Sequence, residues 1–171
     1  MHAELLTLRL IHILGGIFWV GSMIFTTFFL APVIRSSPSM AGLVMAGLQR
    51  RRLFIALPVV ALLTIASGLR LLSIASIGFS RAYFSTPTGR TIATAAVAAT
   101  IGFLLSLLIS RPGFVRIGKL GSSLAAAPDD GARERIAAEM GRITRRVAIS
   151  NALVVVLLLA AAAGMAIARY V

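Results

Sequence analysis

Residues 11–34 read IHILGGIFWVGSMIFTTFFLAPVI, an apolar run with His12 near its start and Trp19 two turns later. A helix needs about 20 apolar residues to cross the hydrocarbon of a bilayer, and this run supplies them without a charged side chain. It is longer than the hydrophobic region of a signal peptide, ends in Pro32 and Arg35 rather than a small-residue cleavage site, and has Arg9 as the only basic residue before it. We therefore expect a retained membrane span.

Outward from this run, three more follow, so that spans are expected at 10–34, 53–77, 91–110 and 147–168. Proline punctuates them: Pro38 falls in the first loop, Pro87 just before the third span and Pro112 just after it, each where a helix would start or stop. Pro58 lies in the first turns of the second span, where it is tolerated or gives a mild kink. The composition agrees. A chain of 171 residues that is 58% hydrophobic has more apolar surface than one small aqueous core can hide. Abundant Ala, Leu, Ile, Val and Gly suit closely packed helices rather than an alternating β-barrel. The fold class is thus an all-α, four-span membrane bundle in one domain, 1–171. The absence of cysteine excludes disulfides, thiolate metal sites and thiol catalysis.

The net charge of +12 belongs to the flanks of the spans, which points to orientation and anionic lipid headgroups rather than to nucleic acid. Of the seventeen Lys and Arg residues, twelve fall in the first and third connections, four fall on the opposite side, and Arg70 lies within a span. The positive-inside rule then places both basic loops in the cytoplasm and both termini outside, which for a bacterial inner membrane is the periplasm. Between spans three and four, Asp129 and Asp130 are helix-start residues, and Ile136, Met140, Ile143 and Val147 recur at helical spacing. We expect an amphipathic helix over 130–146, lying along the inner headgroups or running straight into span four. A span, a basic loop and a second span occur twice, which hints at two related hairpins.

Motifs for ordinary catalysis are missing, and none of the five acidic residues falls within a span, so the reading leans away from an enzyme and from a carboxylate proton relay. Gly15, Ser22, Gly68, Gly102, Ser106 and Gly164 read as helix contact points, and Ser150 with Asn151 as an interhelical hydrogen-bonding pair. Met23, Met40, Met45 and Met165 do not cluster, and Met1 beside His2 makes a poor copper site.

The polar residues inside the spans carry more information, because an ionisable group in hydrocarbon is costly. With the orientation above, His12, Arg70 and Met165 fall in the outer half of the bilayer near Arg9, Arg90, Thr91 and Thr94. Imidazole and thioether are axial ligands for haem iron, and guanidinium groups pair with propionates. His12 would ligate the iron, Met165 or the His12 of a second copy would supply the sixth ligand, Arg70 or Arg9 would meet a propionate, and Trp19 could wall a planar ligand. The competing reading is that His12 hydrogen-bonds a neighbouring helix or water, Arg70 reaches outward to the headgroups, and Trp19 packs in the bundle.

His12, Trp19 and Gly21 in HILGGIFWVG resemble the first-helix pattern of the copper-resistance-D-like membrane proteins, a histidine, six residues, a tryptophan, any residue and a glycine. The second-span segment TIASGLRLLS is similar to the small-residue and Gly-Leu segment of those proteins. A related resemblance is to the small four-helix protoporphyrinogen oxidases, whose first-helix histidine, matched by His12, is associated with b-type haem. Those enzymes continue with a Leu-Pro-Arg segment and a further histidine, where this chain has SMIFTTFFLAPVIR. The resemblance implies haem b at His12 and a redox-associated role, or copper handling. The first reading is accordingly the b-haem or redox-associated role; the alternative is a non-catalytic subunit or assembly factor, with a homo-oligomer or a larger membrane complex as its setting, and copper handling comes third.

Overall fold

The computed structural model describes residues 2–36 and 38–171, with side chains at all of these except 38–42. The described residues are helical, without a strand, and form two hairpins. In the first, α1 (His2–Phe25) runs through a π-helical turn at Thr26–Leu30 into α2 (Ala31–Ser36), and the chain returns through α3 (Pro38–Arg50) and α4 (Leu53–Ala75). A short helix, α5 (Arg81–Ser85), leads to the second hairpin. There α6 (Pro87–Leu105) passes through a π-helical turn at Ser106–Ser110 into α7 (Arg111–Ala125), and α8 (Asp130–Ile167) comes back. Four continuous helical stretches are long and apolar enough to cross a membrane: His2–Ser36, Leu53–Ala75, Pro87–Ala125 and Asp130–Tyr170.

Local chemistry sets several of the ends. Thr86 caps α6, its hydroxyl accepting the Gly89 N–H at 3.0 Å, and Pro87 occupies the first turn, where its missing donor is harmless. Asp129 caps α8 by accepting the Ala132 N–H at 2.6 Å. The expected 130–146 segment is accordingly the start of α8, continuous with the fourth span rather than a separate surface helix. The second span stops at Ala75, earlier than expected. Ile77, Gly78 and Phe79 take φ of 52°, 75° and 64°, a left-handed run that breaks the helix and turns the chain towards α5. Ser76 holds this turn from a fully buried position, donating its hydroxyl to the Leu72 carbonyl at 2.7 Å and accepting the Phe79 N–H at 2.9 Å.

Pro112 does not end the third helix, contrary to the expectation. In the turn before it the Arg111 N–H bonds the carbonyl of Ser106, five residues back, so the hydrogen-bond register has already shifted when the proline arrives. Pro112 then stands in the first turn of α7, where its lack of an N–H costs little. Pro38, expected where a helix would start or stop in the first connection, opens α3.

Four charge-free stretches, 10–34, 53–69, 91–110 and 147–168, run through these helices. At 1.5 Å per residue they measure about 25 to 38 Å, against about 30 Å of bilayer hydrocarbon. Beyond this zone α7 and the first half of α8 continue as a two-helix hairpin for about 20 Å. Gly113 lets the pair approach closely, since a Cβ there would collide with Val147. Ile117, Leu120, Leu124, Ile136, Met140 and Ile143 are half-buried, while the arginines at 111, 116, 133, 135, 142, 145 and 146 are exposed.

The core joins the hairpins at the centre of the apolar zone. Trp19, Met23, Ala61, Val154, Val155 and Leu158 form its buried cluster, with Phe103 packed against it. Elsewhere the outward faces of the spans expose Ile17, Phe18, Leu62, Val97, Val156 and other large apolar side chains, as lipid-facing helices do.

Candidate functional site

His12 stands on α1 three residues inside the charge-free zone, facing α4. Its Nδ1 lies 2.8 Å from the main-chain carbonyl oxygen of Thr64. A carbonyl can only accept, so Nδ1 carries a proton, and Nε2 has no hydrogen-bond partner among the described residues. The ring fits because position 68 is glycine: a Cβ there would lie 2.6 Å from His12 Cε1 and 2.9 Å from Nδ1. Gly15, one turn further along α1, makes a second close approach, where a Cβ would strike the Thr64 hydroxyl. That hydroxyl bonds back to the Val60 carbonyl at 2.8 Å, and Ser67 bonds the Thr64 and Leu63 carbonyls at 3.0 and 2.7 Å. Apart from His12 Nε2, the polar side-chain atoms of this seam are thus bonded within the α1–α4 pair.

Arg70 lies just outside the charge-free zone and is turned to Glu4 of α1, with Nε and Nη2 at 3.1 and 2.8 Å from the same carboxylate oxygen. Both side chains are about half exposed, 55% for Arg70 and 44% for Glu4, so the pair is worth at most about 1 kcal/mol. It fastens the ends of α1 and α4 about two turns beyond the contact of His12 with Thr64. Glu4 was not legible as a partner because it stands ahead of the apolar run. Its signal in the sequence is isolation, as the other four acidic residues all lie in 129–139.

Trp19 is 4% exposed and meets Phe103 of α6 edge to face at a ring-centroid distance of 6.2 Å. Its ring is consumed by the contact between hairpins and does not wall an open site. Met165 is half-buried next to Gly164, which packs on Thr91 and Ala95 of α6. It belongs to the second hairpin, whereas His12 is seated in the first. Arg9 is exposed. Arg90 donates to the Ser85 carbonyl at 2.9 Å, and Thr91 and Thr94 bond back to carbonyls of their own helix. Ser150 and Asn151, expected to bond between helices, both meet Ser110 of the third span, a partner the sequence reading did not name: its hydroxyl donates to Asn151 Oδ1 at 2.6 Å and lies 3.4 Å from the Ser150 hydroxyl.

A haem at His12 can be tested against this geometry. The imidazole is suitably held, with Nδ1 on a backbone carbonyl and Nε2 free, the arrangement by which proteins orient a metal-binding histidine. Of the rest of the expected set, Arg70 is engaged by Glu4 and Trp19 by Phe103, while Arg9 is exposed and Met165 lies on the other hairpin. Two surface grooves, of about 660 and 310 Å³, lie along 107–119 and between α4, α5 and α6, and neither is lined by His12, Arg70 or Met165. His12 thus offers a ligand atom that neither groove reaches. Among the described residues no three His, Asp or Glu side chains gather as a metal site, and Met1, the partner named for His2 in a copper site, lies outside those residues. No family model, curated protein or solved structure matches the chain.

Proposed function

We propose that this chain is a non-catalytic subunit or assembly factor of a larger membrane complex, inserted in a bacterial inner membrane with both termini in the periplasm. The observation that carries this reading is the paired extension of α7 and α8 beyond the charge-free zone. Two helices continuing about 20 Å past the hydrocarbon, with an apolar seam inside and exposed arginines outside, make a rigid arm. The arm's chemistry is that of a docking element for an acidic surface, and the positive-inside rule puts it in the cytoplasm. Within the spans, by contrast, His12 and Ser110 bond across helices and most other hydroxyls bond back to carbonyls of their own helix.

The test is extraction of the full chain in a mild detergent, followed by native electrophoresis and mass spectrometry. We expect a stoichiometric assembly that is lost when 114–142 is replaced by a short flexible linker, while the four spans still insert. A wild-type chain that migrates alone would overturn the reading.

A second reading, haem b with a redox-associated role, is supported by one observation, the free Nε2 of a histidine whose Nδ1 is pinned to Thr64. A second copy or another subunit would have to complete the enclosure. A Soret band in the purified protein that disappears in His12→Ala would establish it.

A further inference from the structure

Along the outward side of α1, Ile11, Leu14, Phe18, Gly21 and Phe25 recur at alternating spacings of three and four. Such a spacing keeps residues on one helix face and is the pattern that two helices share when they pack at a shallow crossing. The four side chains of this row are 40%, 61%, 45% and 56% exposed, and Phe29, 61% exposed, stacks on Phe25 at a ring-centroid distance of 6.2 Å. His12 and Trp19 are turned the other way, to α4 and to Phe103, so the row is separate from both.

Gly21 distinguishes this face from one that only meets lipid. Six glycines lie in the charge-free stretches, and five of them serve contacts between helices: a Cβ at Gly15, Gly16, Gly68, Gly102 or Gly164 would come within 4 Å of a neighbouring helix. A Cβ at Gly21 would meet nothing within 4 Å. Glycine is a poor helix former, so within the chain Gly21 weakens α1 and gains no contact. Acyl chains cover an apolar face whether or not it carries a notch. The use of the notch is a close approach by a helix from outside the chain.

Symmetry and area select the occupant. Two copies of the chain insert in the same direction and at the same depth, so a twofold axis along the membrane normal sets this face against itself in register. Gly21 then faces Gly21 at the crossing, where two absent side chains let the backbones approach, and the rings of Phe18 and Phe25 fill the space on either side. A foreign helix would need matching relief at this one depth, which a second copy brings with it. At about 200 Å² for a large apolar side chain, the exposed fractions amount to roughly 500 Å² on each copy, about 1,000 Å² in all, the size a specific interface needs. We propose that the chain forms a parallel homodimer through span one, with Gly21 at the crossing and Phe18 and Phe25 packed around it. The contact is independent of the docking arm, which belongs to the second hairpin.

The full chain in detergent, followed by native mass spectrometry over a dilution series, tests this. Wild type should be dimeric, and Gly21→Leu should raise the dissociation constant at least about tenfold by blocking the crossing. Because nothing in the chain surrounds position 21, this variant should unfold no more readily than wild type when both are diluted to monomers. Ala160→Leu, which adds bulk to an exposed face of α8, should change the constant by less than about twofold. The chain has no cysteine, so single cysteines report the contact in membrane vesicles under mild oxidation. Phe18→Cys and Phe25→Cys should give disulfide-linked dimers, whereas Leu62→Cys and Val156→Cys, at equally exposed positions of α4 and α8, should not. The chain with 114–142 replaced by the flexible linker should dimerise as wild type does. A monomeric wild type would overturn the proposal, as would a dimer that tolerates Gly21→Leu, one that cross-links equally at all four cysteines, or one lost with the arm. Capture of a different membrane protein at position 18 in place of a second copy would overturn it too.

Discussion

Pro32 and Pro112 stand eighty positions apart in the same local structure, each the second residue after a five-residue π-helical turn. In both turns the residue before the proline bonds a carbonyl five positions back, Ala31 to Thr26 and Arg111 to Ser106. Both turns lie at the end of a hairpin's first span, on the side of the basic connection. The two hairpins are thus built on one plan, and in each the π turn lets a helix continue through a proline.

A π turn is one residue inserted into an α-helix. Deleting Leu108 together with Pro112→Ala should therefore restore an unbroken α-helix and keep the faces of α7 that meet α8. We expect the melting temperature in detergent to fall by no more than about 4 °C. The same deletion at Ala98 rotates everything after it by about 100° and should prevent a cooperative transition. Equal damage at the two positions would refute the insertion.

Gly68 is there to admit the His12 ring. Gly68→Ala should destabilise the bundle by about 1 to 3 kcal/mol through overpacking. The same change in a His12→Ala background should cost much less, because the added methyl then meets no ring. Unfolding of the four proteins in a double-mutant cycle measures this, and additive effects would show that the two residues do not touch.

Trp19 and Phe18 are neighbours in sequence with opposite surroundings, 4% and 45% exposed. Trp19→Ala removes the ring that meets Phe103 edge to face and opens a cavity at the junction of the hairpins, an expected loss of about 3 to 5 kcal/mol. Phe18→Ala only changes a lipid contact and should stay within about 1 kcal/mol. Similar losses at both positions would contradict the packing.

The proposed orientation makes a prediction of its own. Reporters fused at Met1 and Val171 should be reached from outside the cell, and one inserted near Gly131 only from the cytoplasm, because the basic residues divide twelve to four between the two sides. Accessibility of the Gly131 reporter from outside would reverse the topology and with it the side of the basic arm.

Much of this was legible in the chain. Helix by helix, the four apolar runs were readable because burial in lipid is decided by the sum of side-chain transfer energies over about 20 neighbours. Asp129 as a helix start was readable because capping involves only the next three residues. Pro112 misled because its usual effect assumes an α-helical register, and the π turn that removes the conflict has no strong local signature in SLLIS. The polar layer was readable as a list of residues at one depth, but depth does not say which faces meet.

The sequence by itself determined that this is a helical membrane protein, where its charge-free zones lie and which connections are basic. Only the tertiary structure decided that His12 is given to Thr64 over Gly68, Arg70 to Glu4, and Trp19 to Phe103. The physical reason is that hydropathy is additive along one helix, whereas partner choice depends on the rotation and offset of two. Those are set by close contacts at Gly15, Gly68 and Gly113 between residues far apart in the chain.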